Sequence, residues 1–281
     1  IMNQSITIVT AFFDIGRGKW QHNFPRSSQS YLSYFKNLAT LENEMVIFTQ
    51  KEFVSIIQEY RGNRPTHIIE IDFDKKFAHT IKKIQSILDS DQYKQLIPQE
   101  LHNNPEYRSA EYVLVNNLKY YFIKQAIQHL KKAQEEDLFA WVDFGFCRKP
   151  SAINGIKNWY HDFDSEHIHL FTLKDPFILE EKEVMLRKAL HNEVFVIGSM
   201  IVGSKKAWNR LYPLISKLQK EYLDKNISDD DQGTMLMTLC EYPDLFTVHK
   251  IKKGWFSGFK QFNSGSTYKN IFYKLKSLLK I

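Results

Sequence analysis

Leu138-Phe139-Ala140-Trp141-Val142-Asp143-Phe144-Gly145-Phe146 is the stretch on which the fold turns. Five apolar residues, then an acidic residue and a glycine two places on, read as a buried strand ending in a carboxylate. A glycine there lets the backbone pass close to a ligand or take up a strained turn. Strands of this kind, alternating with helices, imply a parallel sheet with crossovers on both faces. Ligands of such sheets bind beyond the carboxyl ends of the strands, where Asp143 stands. A carboxylate in that position suits a phosphate-bound divalent cation. Capping a turn is the plainer use of a strand-terminal Asp.

Upstream the alternation is clear. Residues 6–12 form a β-branched run that reads as a buried strand, and Ser27 and Ser28 offer caps to a helix carrying Tyr31, Tyr34, Phe35, Leu38 and Leu41 on one face. Strands are predicted at 45–48 and 67–71 and helices at 53–60 and 77–88. A long helix over 110–132, burying Leu114, Leu118, Tyr121, Phe122 and Ile127, delivers the chain to the 138–143 strand. Downstream the pattern is less regular: a loop over 148–164, strands at 167–173 and 194–202, a helix over 205–222, and another after Asp229. With no repeats or linker, residues 2–266 read as a single domain. Its fold class is α/β, a mixed, mostly parallel sheet flanked by helices.

Four segments carry candidate chemistry. The first is the Asp143–Gly145 turn. The second is Ser228-Asp229-Asp230-Asp231-Gln232-Gly233. Acidic residues opening a helix are already favoured by capping and by the helix dipole. A crowded carboxylate there, Asp230 or Asp231, also has the raised pKa that suits a base toward a hydroxyl. The third is His249, ending a strand, which either completes a metal site with Asp143 or is hydrogen-bonded structure. The fourth is Phe13-Asp14-Ile15-Gly16-Arg17-Gly18-Lys19-Trp20 directly after the first strand. Asp14, Arg17 and Lys19 there make a plausible phosphate or nucleotide contact, although the spacing is neither a P-loop nor G-x-G-x-x-G. Lys119, on the helix feeding the Asp143 strand, is a further donor-contact candidate.

Residues 7–20 resemble the opening of the HtrL/YibB family of bacterial proteins, whose members are often encoded among lipopolysaccharide and capsule genes. The 141–146 and 229–233 segments sit where that family's motifs fall. The chain is also similar to GT-A glycosyltransferases (a Rossmann-related fold): a nucleotide-binding first half, a strand ending in an acidic motif, Ile197-Gly198-Ser199-Met200-Ile201-Val202, Trp208, and the Asp231-Gln232 helix start. The resemblance implies a glycosyltransferase, with hexosyl transfer expected, that takes a nucleotide-sugar, a UDP-sugar first, and a lipopolysaccharide, capsule or related acceptor. Residues 2–146 would bind the donor through Asp14, Arg17, Lys19, Lys119, Asp143 and Gly145. Residues 147–266 would face the acceptor, with Asp230 and Asp231 catalytic. A divalent cation, Mn²⁺ or Mg²⁺, would be held by Asp143 and His249. The GT-A motif is Asp-x-Asp, whereas this chain has Asp143-Phe144-Gly145. Three possibilities follow: a site completed by His249, a weak site, or none. The missing carboxylate also leaves room for a non-catalytic nucleotide- or glycan-binding protein that keeps the fold.

Composition narrows the setting. Of 281 residues, 43% are hydrophobic and 25% charged, an ordinary globular balance, and no apolar run approaches a membrane span. The N-terminal residues lack signal-peptide character and the two cysteines give no disulfide or zinc framework, so a cytoplasmic protein is expected. The net charge of +6 is lopsided, with eight lysines and no acidic residue from 248 onward. Residues 267–281 place Ile271, Phe272, Leu275, Leu278 and Leu279 on one helical face and lysines on the other. That basic amphipathic helix suits either packing on the core or peripheral contact with the anionic inner face of the cytoplasmic membrane; a membrane-surface scaffold is the reading resting on it alone. Aromatics among the lysines bring no nucleic-acid module with them, and no nucleic-acid partner is expected.

Overall fold

The computed structural model describes residues 5–21 and 24–264. The basic helix expected over 267–281 lies outside the described residues.

Alternation of strands and helices carries through most of the chain. β1 (Thr7–Phe12), α1 (Ser28–Leu38), β2 (Met45–Thr49), α2 (Val54–Arg61), β3 (Thr66–Glu70) and α3 (Phe73–Leu88) follow one another, then the short α4 (Asp91–Lys94) and α5 (Pro105–Arg108). Next come α6 (Ala110–Asn117), α7 (Lys119–His129), β4 (Leu138–Val142), β5 (Ile168–Thr172), α8 (Lys182–Leu190) and β6 (Met200–Ser204). α9 (Lys205–Asp224), α10 (Asp231–Glu241), β7 (Phe246–Lys250) and α11 (Gly258–Gln261) complete the described chain. Local chemistry sets several starts: the Ser27, Asp72, Ser109 and Ser204 side chains each accept a backbone N–H from the first turn of α1, α3, α6 and α9.

The strands form one seven-stranded sheet in the order β3-β2-β1-β4-β6-β5-β7. β6 runs antiparallel to both neighbours and the other ladders are parallel, so the sheet is mixed and mostly parallel, as expected. Residues alternate between two cores. Val9, Ala11, Val46, Phe48, Phe139 and Trp141 face one; Ile8, Phe12, Met45, Ile47, Ala140 and Val142 face the other. From β1 the chain steps outward to β2 and β3, and β4 then returns to the opposite side of β1. The reversal between β1 and β4 is the topological switch point, where such sheets open a crevice.

Three expectations are corrected. The helix expected over 110–132 is two helices that meet at Leu118. Asn117 explains the break: its amide donates to Asp229 O (2.7 Å) and its carbonyl oxygen accepts from Gln219 (3.1 Å), tying that turn to neighbouring elements. The strand expected over 194–202 starts only at Met200. The residues before it are held to β5, with Ile197 N–H donating to Phe171 O (2.8 Å) and Thr172 Oγ1 to Phe195 O (2.6 Å). α8, which carries Val184, Met185, Leu186, Ala189 and Leu190, was not anticipated. Among the described residues no helix is long and apolar enough to cross a membrane.

Candidate functional site

A cavity of about 570 Å³ opens at the carboxyl ends of β1 and β4, at the switch point. Its floor is a carboxylate–ammonium–carboxylate triad. Lys119, at the first position of α7, is 3% exposed, and its Nζ donates to Asp231 Oδ2 (2.7 Å), Gly198 O (2.9 Å) and Asp143 Oδ1 (3.1 Å). All three ammonium hydrogens are therefore used. Burial alone would pull this lysine toward neutrality, yet Asp143 and Asp231 outweigh it and raise the pKa above the ordinary lysine value. Trp141 Nε1 also donates to Asp143 Oδ1 at 2.7 Å, fixing that carboxylate from its own strand. The side chain of Asp143 remains 37% exposed, opening onto the cavity.

Close backbone approach makes the triad possible. A Cβ on Gly198 would stand 1.9 Å from Asp231 Oδ2, so only glycine fits beside that carboxylate. Gly233 does the same for Asp229, at 1.7 Å. Asp230 caps α10, its side chain accepting Gln232 N–H, and Asp231 opens the helix. Both line the cavity, joined by Glu106 from α5. Burial is the main force raising the carboxyls of Asp229, Asp230, Asp231 and Glu106, with mutual repulsion adding at the aspartates.

The pH dependence follows from that direction. A carboxyl with a raised folded pKa holds its proton better in the folded chain than in the unfolded one. Its stability contribution is complete below the ordinary carboxylate range, about pH 4, and is lost as pH rises through the raised value. Asp229 is the clearest case: it is buried and its Oδ2 has no hydrogen-bond partner. Thermal melts at pH 5 and pH 8 are expected to show the parent losing stability between them, by about 1.4 kcal/mol per pH unit for each proton released. Asp229→Asn should flatten that slope; an unchanged slope would remove Asp229 from the account.

A cationic rim lines the same cavity. Arg17 donates to Phe24 O (2.9 Å) and to the Tyr31 hydroxyl, with its guanidinium 5.4 Å from the ring centres of Trp20 and Tyr112. Arg26 lies 5.4 Å over Tyr31, and Arg148 lies 4.5 Å over Phe256. All three arginines line the cavity. Gly145 lies beneath Tyr31, whose ring would meet a Cβ there at 3.0 Å.

Most of the residues singled out from the sequence therefore meet. Asp14, Arg17, Lys119, Asp143, Gly145, Asp230 and Asp231 all line this cavity. Asp14 shapes the loop itself, accepting Gly16 N–H and anchored by Gln50. Lys19 is exposed and does not line the cavity.

His249 lies elsewhere. β7 is three strands from β4, roughly 14 Å across the ladder at the usual strand spacing. The His249 ring shares a hydrogen bond with His169 (2.8 Å) and packs on Phe171 and Phe262. Burial lowers its pKa to about 4, so it is a neutral, structural histidine at ordinary pH. The metal site expected from Asp143 and His249 is thus not formed. A divalent ion needs several ligands converging on one point, and among the described residues no group of three or more His, Cys, Asp or Glu is so placed. The floor instead places an ammonium between two carboxylates.

Sequence reading missed Arg26, Arg148, Glu106 and the indole of Trp141. The arginines had one weak signal: each lies within a few residues of an aromatic or glycine of the cavity. Glu106 had none, because only tertiary folding brings α5 to the α10 terminus.

The α/β sheet thus brings an acidic floor and three arginines together in one cavity at its switch point. The chain belongs to the HtrL_YibB family: a family model described as "Bacterial protein of unknown function (HtrL_YibB)" matches residues 4–264. Protein HtrL of Escherichia coli (strain K12) is 41% identical over 273 residues, covering 94% of this chain and 95% of that one. Solved structures similar to it include three glycosyltransferases. Mouse xyloside xylosyltransferase 1 in its apo form has 10% identity and a TM-score of 0.41, with 87% of this chain and 84% of that one covered. The galactosyltransferase LgtC, in complex with donor and acceptor sugar analogs, has 10% identity and a TM-score of 0.43, with 86% and 73% covered. The apo form of the glycosyltransferase GlyE of Streptococcus pneumoniae TIGR4 has 11% identity and a TM-score of 0.40, with 87% and 45% covered. Likeness of this degree says nothing about which residues act or on what.

Proposed function

We propose that the protein transfers a sugar, a hexosyl group first, from a nucleotide-sugar donor to a hydroxyl of a lipopolysaccharide, capsule or related surface glycan. UDP-sugars are the donors to try first. The observation that carries this reading is the meeting, in one cavity, of three rim arginines with the Asp143–Lys119–Asp231 floor. A donor's diphosphate matches the rim, and its sugar hydroxyls match a half-exposed carboxylate such as Asp143. The first half of the chain supplies β1 to β4 and most of the rim, which suits donor binding. The α10 terminus, from the second half, suits the acceptor.

In the transfer the acceptor oxygen bonds to the anomeric carbon while the carbon–oxygen bond to the diphosphate breaks, its electron pair leaving with the diphosphate. The hydroxyl proton passes to Asp230 or Asp231. Burial and crowding raise both carboxyls, which brings their basicity closer to the operating pH. A place at the inner face of the cytoplasmic membrane belongs to the same proposal.

Two measurements test it. A thermal-shift screen of nucleotides and nucleotide-sugars should show stabilisation selective for one nucleotide family. With the stabilising donor, slow hydrolysis or transfer should be detectable, and Asp143→Asn should lower turnover by roughly 100-fold while melting within a few degrees of the parent. Saturable nucleotide binding without turnover of any donor would make the protein a binding module. Full turnover in Asp143→Asn would remove that residue from the chemistry.

A further inference from the structure

We propose that the diphosphate is bound and released on the arginine rim without a divalent cation, Lys119 joining the two floor carboxylates where a metal would otherwise bridge them; this rests on reading the cavity as a nucleotide-sugar site. The first ground is occupancy. Asp143 Oδ1 already accepts from Lys119 (3.1 Å) and Trp141 (2.7 Å), and Asp231 Oδ2 from Lys119 (2.7 Å). A cation between these carboxylates would have to displace a buried ammonium with all its hydrogens bonded, leaving it uncompensated.

The second ground is surplus charge. Arg17 and Arg26, from the segment between β1 and α1, and Arg148, from the loop after β4, converge on one cavity. None of them takes part in an ion pair with a carboxylate among the described residues. Arg148 is pulled down first by burial and next by Arg26, with Arg17 adding to the effect. The like charges are close enough to repel. Aromatic faces hold them in place, Tyr31 under both Arg17 and Arg26 and Phe256 under Arg148. Glu106 lines the same cavity; burial raises its carboxyl, while its hydrogen bonds and Arg17 act in the other direction. Three fixed guanidiniums match the charge of about −2 to −3 on a nucleoside diphosphate and suit its oxygens, which bind guanidinium forks bidentately.

The test uses the full chain dialysed against EDTA, titrated calorimetrically with UDP and with inorganic pyrophosphate. Both should bind in EDTA, and added Mn²⁺ should change the UDP affinity by less than about threefold. Arg26→Ala and Arg148→Ala should each weaken both ligands about tenfold, with Arg148→Lys between, as loss of a charge-assisted pair predicts. Arg148 is exposed, so its variants are expected to fold normally. If UDP binds only with Mn²⁺, or the arginine variants bind as the parent does, this proposal is overturned while the nucleotide-sugar reading stands. If pyrophosphate binds without metal and UDP binds no better, the anion rim stands and the nucleotide-sugar reading falls. Binding of neither ligand, with or without Mn²⁺, overturns both.

Discussion

Arg61→Met is expected to lower the stability of the fold by about 4 kcal/mol, a large share of what holds a typical domain together. Arg61 ends α2 and is fully buried with no carboxylate partner. Its five guanidinium hydrogens are all used: Nε on Thr66 Oγ1 (2.8 Å), Nη1 on Ala39 O (3.0 Å) and Leu41 O (2.5 Å), Nη2 on Asn43 O (2.8 Å) and Pro65 O (2.9 Å). Burial, helped by Arg64, lowers its pKa to about 10, which leaves it charged at neutral pH. The side chain is thus a bolt through the turns before β2 and β3. Methionine fills similar volume but leaves four backbone carbonyls without this donor, at about 1 kcal/mol or more each. Arg61→Lys should recover little, since three hydrogens on one nitrogen cannot reproduce a five-pronged plane. Urea melts measure the difference. A variant within 1 kcal/mol of the parent would show that the turns find other donors.

Arg61 also marks what a sequence reading reaches. The strands were legible because each is a short apolar run between turn signals, and runs such as Met45–Thr49 and Leu138–Val142 are buried on both faces. α1 was legible through its serine caps and periodicity, and most of α3 through periodicity alone. The single helix over 110–132 was not, because the bonds that break it at Asn117 come from residues about 100 positions away. A polar residue whose partners lie in tertiary space carries no local mark, and Arg61 reads as an ordinary helix-terminal arginine.

The site divides the same way. Asp143, Asp230 and Asp231 stood out because a strand end and a helix start are where carboxylates meet ligands. Their convergence, across 88 positions from Asp143 to Asp231, depends on β6 and α10 returning beside β4. His249 misled for the same reason in reverse: its strand-terminal position resembled that of Asp143, but strand order decides distance, and β7 lies at the far edge.

Lys119→Met is expected to produce a pH-dependent loss of stability and to abolish the proposed transfer. It removes the positive charge between the buried Asp231 and the half-exposed Asp143. Leaving one buried charge unpaired costs about 3–5 kcal/mol where the carboxylate cannot take up a proton. Asp231 can take one up, and its pKa, already raised by burial, would rise further without Lys119. The sign follows. A raised folded pKa gives stability that is present at low pH and lost as pH climbs through it, so Lys119→Met should melt close to the parent at pH 5 and well below it at pH 8. Adding Asp231→Asn should close most of the gap at pH 8, because a neutral amide needs no counter-charge. The coupling between the two substitutions, read from chemical denaturation of all four proteins, isolates the pair. Turnover should stay low in the double variant even though its fold is restored, since positioning of Asp143 still depends on the ammonium. Equal stability of Lys119→Met and parent at pH 8 would mean that Asp231 is already protonated there, and that Lys119 serves Asp143 alone.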